Sequence, residues 1–149
     1  MNYKSKYYSL LYDVIRSYNR CTPLKILRLR HGQIFVFGTD AKGSQRYGAA
    51  GLAAKNFGAQ IGVRNGRTGD SYALPTMGCT LEELGASILQ FEQYARENKG
   101  LTFLVTPIGC GHAGFKYEQV APYFRGCIAL GNVMLPEQFL CFFRKECIE

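Results

Sequence analysis

The residues whose types and spacing suit chemistry sit at the ends of two apolar runs. In one, Thr102 to Ile108 empties into Gly109, Cys110, Gly111, His112, Ala113 and Gly114, and an amphipathic segment follows. Three glycines within six residues let a backbone curl with its N–H groups inward, and a following helix offers unpaired N–H groups and a partial positive charge to an anion. The chemistry implied is capture of a phosphate-bearing ligand, although the same residues also make a plain tight turn. The other run, Gln33 to Phe37, leads into Gly38, Thr39 and Asp40, and then into Gly48, Ala49, Ala50 and Gly51. Small residues there let a helix start close to a ligand or another backbone.

Three side chains in these segments carry reactive groups. Asp40 suits a general base that activates a water or a ribose hydroxyl, or equally a turn cap. His112 suits an acid or a partner for phosphate, or an ordinary hydrogen-bonding loop residue. Cys110 stands two positions from His112, a spacing that rarely lets two side chains on one turn converge, so a Cys–His dyad is not expected.

An alternation of strands and helices must position these loops. The pattern predicts an amphipathic helix over 3–18, an edge strand over 24–30, a strand over 33–38, a helix over 48–57 stopped by Gly58, and a short strand over 71–76. A helix capped by Thr80 and Glu83 and ended by Gly100 follows, then a strand over 102–107, a helix over 116–124, a strand over 127–135 and a last helix opened by Pro136. Between them, 59–70 reads as a lid carrying Arg64 and Arg67, or as a hairpin tip. In an open α/β sheet, ligands sit beyond the carboxyl ends of the strands, so both glycine segments would line one crevice if their strands are parallel neighbours. The expected fold is a three-layer α/β/α sandwich around a mixed sheet.

The 149 residues suffice for one core, and a single domain over 1–149 is expected, with 1–30 as an extension and 31–149 as the body. All 17 glycines fall between Gly32 and Gly131. Of the formal charge of +7, residues 1–33 carry seven basic groups against Asp13 alone, whereas the rest of the chain is nearly neutral. That arm suits a polynucleotide or acidic partner, or simply a solvated helix face. No apolar stretch reaches membrane-spanning length and no signal-peptide core is visible, so a cytoplasmic protein is expected. The six cysteines are scattered without paired spacing and only two histidines occur. Free thiols are therefore expected, with no metal and no cofactor.

Phe37-Gly38-Thr39-Asp40, Gly48-Ala49-Ala50-Gly51, the segment from Ser71 to Thr76, that from Thr106 to Gly114, and Asn132 to Pro136 together are similar to a group of bacterial and phage-encoded proteins. That group in turn resembles macro domains, the α/β/α modules that bind ADP-ribose. The resemblance implies that Gly38, Thr39 and Asp40 lie near the distal ribose, and that Gly48, Ala49 and Ala50 pass under the pyrophosphate. It implies also that the loop of Gly109, Cys110, Gly111, His112, Ala113 and Gly114 embraces the diphosphate, with Phe115 covering the distal ribose. Two departures stand out. Macro domains commonly contact adenine through an acidic residue after an early strand, and residues 24–33 contain no carboxylate. Asp40 replaces the usual Asn by a group that only accepts when ionised. The expected function is binding of ADP-ribose or a related nucleotide, with Asp40 and His112 as the catalytic pair if an ADP-ribose linkage is hydrolysed. The alternatives are nucleic-acid binding through the basic arm, or a non-catalytic sponge for a signalling nucleotide.

Overall fold

The computed structural model describes residues 21–40, 42–45, 48–111 and 113–148; the helix expected over 3–18 lies outside them. The central element is β1, Gln33–Thr39, whose residues are buried on both sides. It pairs in parallel with β3, Ser71–Pro75, on one flank and β4, Thr102–Val105, on the other. A short β2, Gly66–Thr68, pairs antiparallel outside β3, and β5, Val133–Met134, runs parallel outside β4. The result is a five-stranded mixed sheet of order β2-β3-β1-β4-β5.

Alternation along β1 sends its side chains into two separate cores, because successive residues of a strand point to opposite faces. Ile34 and Val36 join Leu84, Ile88, Phe91, Phe103, Phe124 and Phe139 on one side. Phe35 and Phe37 join Ala53, Phe57, Ala73 and Ile26 on the other. A strand apolar on both faces must be covered on both, as parallel sheets generally are. The larger core is closed by α2 (Leu81–Glu97), the single turn α3 (Tyr117–Val120), a 3-10 helix over Ala121–Leu130, and α4 (Glu137–Ile148). The smaller is closed by α1, Gly48–Asn56, whose alanines let it lie close to the sheet.

The capping box of Thr80 and Glu83 opens α2 as the sequence implies. Gly58 follows α1 with φ of +75°, a left-handed conformation that glycine adopts without a Cβ penalty. Its backbone lies hard against the hairpin turn, for a Cβ on Gly69 would come within 2.7 Å of Gly58 O. The amide of Asp70 and the hydroxyl of Ser71 both donate to Phe57 O, at 2.9 and 3.0 Å. Residues 59–70 thus end in a hairpin, with Arg67 donating to Gly69 O and to the Tyr94 hydroxyl.

Three expectations are corrected. Residues 24–30 form no strand; among the described residues the sheet is prolonged past β5 only by a single parallel bridge between Cys21 and Leu135, and Pro23, two residues on, has no N–H to continue a ladder. The helix expected over 116–124 is one α turn that continues as the 3-10 helix through Leu130. The strand expected over 127–135 is consequently only Val133–Met134. Phe124, Cys127 and Ile128 are buried at helical spacing, and a short apolar run does not by its periodicity distinguish a strand from a buried helix. Among the described residues no helix is long and apolar enough to cross a membrane.

Phe91 is fully buried and its ring meets those of Tyr72, Phe103 and Phe124 at centroid separations of 5.1, 5.3 and 6.4 Å. Truncating a buried phenylalanine costs about 3–5 kcal/mol. Phe91→Ala is expected to lower unfolding stability by that amount in a urea titration.

Candidate functional site

Because β1, β3 and β4 are parallel, their carboxyl ends at Thr39, Pro75 and Val105 lie along one edge of the sheet. A cavity of about 690 Å³ opens at that edge, within the range of small-molecule sites. Gly38, Thr39 and Asp40 line it from the end of β1, and Gly48, Ala49 and Ala50 from the first turn of α1. Gly109, Gly111 and Ala113 line it from the loop after β4. The two glycine segments therefore face one space.

The rest of the second loop points elsewhere. Cys110 and Phe115 pack against the larger core, and a Cβ on Gly109 would touch Leu84 and Phe115 at 3.0 and 3.1 Å. Phe115 thus supports the loop from beneath. Gly114, with φ of +80°, turns the chain toward α3. His112 lies outside the described residues. The Cys110 thiol donates to Ile108 O at 3.4 Å, and burial, helped by Glu118, pushes its pKa up to about 11. A thiol so protonated is a poor nucleophile. The turn α3 begins at Tyr117 with the amide of Lys116 bound to Gln119 Oε1 at 2.9 Å, so the helix end bordering the cavity is that of α1.

Asp40 is held by its own loop. Its Oδ1 accepts from the amides of Lys42 and Ser44, each at 3.0 Å, and its Oδ2 accepts from the Ser44 hydroxyl. The Ser44 hydroxyl, then the Ser44 amide, hold the carboxyl below its usual range. This is an Asx-type turn staple. A general base works best with a pKa near the operating pH, and these donors move Asp40 the other way.

The hydroxyls around the cavity are likewise engaged with backbone. Thr39 O accepts from the Thr76 amide at 3.0 Å and the Thr76 hydroxyl at 3.1 Å, tying the end of β1 to the loop after β3. The Thr39 hydroxyl donates to Arg64 O at 2.9 Å, and that of Thr106 to Val36 O at 2.8 Å. Gln45 is a lining residue that no sequence motif marks. It holds φ of +48°, donates from Nε2 to Gln60 O and Val63 O at 3.0 Å each, and has a buried Oε1 that finds no partner among the described residues. It fastens the loop over 40–45 to the loop leading into β2.

The donors left for a ligand are backbone amides. Among the described residues nothing accepts from the amides of Gly109 and Gly111, and the first turn of α1 has amides without intrahelical partners. No Lys or Arg lines the cavity among the described residues. The positive potential it offers an anion comes from these amides and from the N-terminal end of the α1 dipole, about half an elementary charge, set against the lining carboxylate of Asp40. Among the described residues no cluster of His, Cys, Asp and Glu could hold a metal ion.

Asp40 has its pKa lowered below the ordinary 3.8 in the folded chain, so the staple is fully formed above that pH and is lost as pH falls through the lowered value. The Ser44 amide resonance is expected to titrate with a midpoint below 3.8; a midpoint at or above that value would show that the staple is absent in solution. Cys110 is expected to react with iodoacetamide at pH 8 more slowly than the exposed Cys21 and Cys141, as read by peptide mass mapping.

No protein-family model, curated protein or solved structure matches this chain.

Proposed function

We propose that the cavity at the carboxyl edge of the sheet binds ADP-ribose or a closely related nucleotide, and that it acts by binding rather than by turnover. The observation that carries this reading is a cavity whose available donors are backbone amides from two glycine segments and a helix start. Such groups suit phosphate oxygens, which accept several short hydrogen bonds and gain from the positive end of a helix. The resemblance to macro domains supplies the ADP-ribose identity, and the loop placement is compatible with it.

What favours binding over hydrolysis is the state of Asp40. Its two oxygens already hold the loop, and its proton affinity is lowered. With both oxygens occupied, its charge is also partly offset by donors, which lessens its repulsion of a nearby phosphate. The chain is thus read as a macro-like module that sequesters or recognises a nucleotide.

Gly111 provides the test, because it lines the cavity and a Cβ there would meet nothing within 4 Å. Gly111→Glu is expected to leave the fold intact and to weaken ADP-ribose binding at least tenfold, about 1.4 kcal/mol, by calorimetry. Unchanged affinity would remove the loop from the site. Asp40→Asn separates binding from catalysis: affinity should persist, whereas measurable ADP-ribosyl hydrolysis in the wild type that collapses in this variant would restore the hydrolase reading.

A further inference from the structure

The described cysteines stand in unequal surroundings. Cys127 is buried, Cys110 donates to Ile108 O from a half-buried position, and Cys79 is half-buried beside Arg64. Cys21 and Cys141 are both exposed, and one side chain joins them. The Cys141 thiol donates to Glu137 Oε1 at 3.4 Å, one turn earlier on α4, and the Cys21 thiol donates to the same carboxyl. Arg144 holds that Oε1 as well, at 2.6 Å.

The fold accounts for this meeting of two residues far apart in sequence. Cys21 pairs with Leu135 in a parallel bridge, and residues paired across parallel strands send their side chains to the same face of the sheet. Leu135 belongs to the larger core, which α4 helps to cover. Cys21 thus points to the side on which α4 begins. The adjacent Thr22 fixes this register, its amide and hydroxyl donating to Leu135 O and Met134 O at 2.9 Å each.

We propose that Cys21 and Cys141 form a dithiol site that closes to a disulfide by exchange with a low-molecular-weight disulfide such as glutathione disulfide. One thiolate attacks a sulfur of that molecule, breaks its S–S bond, forms a mixed disulfide and releases one glutathione thiolate. The other thiolate attacks the protein sulfur of the mixed disulfide, forms the Cys21–Cys141 bond and releases the second glutathione. Two protein thiols are oxidised, one small disulfide is reduced to two thiols, and the two protons pass to the released glutathiones. Glu137 clears the gap by remaining on Arg144. A disulfide needs Cβ atoms about 3.8 Å apart, and Cys21, held at the sheet edge by one bridge, is the end that moves. Residues 22–24 and Glu137 with Gln138 border one cavity of about 280 Å³, so the bond staples its two walls. It also ties to α4 the point at which the basic arm joins the body.

Peptide mass mapping of the full chain, equilibrated in a glutathione redox buffer and then alkylated with iodoacetamide, tests this. The expected product is a single chain in which the peptides of Cys21 and Cys141 are linked. Cys21→Ser and Cys141→Ser are each expected to fold, since both side chains are exposed, and to stop at a glutathione adduct on the remaining partner. In concentrated urea the yield of the link should fall at least tenfold, because the fold no longer holds the two sulfurs near one carboxylate. Glutathione on both Cys21 and Cys141 of the wild type, with no link between them, overturns the pair. A link that joins two chains, seen on a non-reducing gel, also overturns it, as does a link of equal yield in urea.

Discussion

The parallel pairing of β1 between β3 and β4 is the constraint from which the rest of the structure follows. Parallel neighbours must be joined by crossovers, and the crossovers place cover on the faces of the sheet. Strands covered on both faces are apolar throughout, as Ile34, Phe35, Val36 and Phe37 are. The same pairing aligns three carboxyl ends, so that three chain segments leave the sheet side by side. One of these segments is fastened to another where Thr39 O receives the amide and hydroxyl of Thr76. The cavity is a consequence of the pairing as much as of the glycines.

Around that cavity the polar side chains hold backbone, and the backbone is left to meet the ligand. Thr39, Thr76 and Thr106 each turn a hydroxyl inward to a carbonyl, Asp40 closes its own loop, and Gln45 bridges to two carbonyls of the next. Buried hydroxyls and amides without partners would cost about 1–3 kcal/mol each, so these attachments make a rigid rim compatible with small residues. A site whose donors belong to the main chain tolerates few side chains in its wall. That accounts for the alanines and glycines of α1 and of the loop after β4 better than a need for tight turning alone.

Much of this was legible in the residues, for physical reasons that differ from place to place. The strand over 33–38 and the capped α2 were clear because an unbroken apolar run and a capping box are local signals. The pairing of the two glycine segments across one cavity needed only that their strands be parallel neighbours. The 3-10 helix over 121–130 was not legible, since Phe124, Cys127 and Ile128 serve a buried helix and a buried strand equally well. Nor did the sequence tell that Phe115 would lie beneath its loop or that Gln45 would line the cavity. Both depend on which side of a turn the chain presents, a matter settled by packing against Leu84 in one case and by the carbonyls of Gln60 and Val63 in the other.

The contact between the end of α1 and the hairpin turn has an electrical consequence. Phe57 O, at the negative pole of the helix, receives two donors from Asp70 and Ser71, and Lys55 stands in the last turn. No acidic residue stands in the first turn. One pole of the helix is therefore neutralised by the protein itself, while the opposite pole faces the cavity, where the lining carboxylate of Asp40 is already engaged by the amides of Lys42 and Ser44 and the Ser44 hydroxyl. To an approaching anion such a helix behaves less like a dipole, whose field falls away quickly, than like a fixed fraction of a positive charge set into the wall.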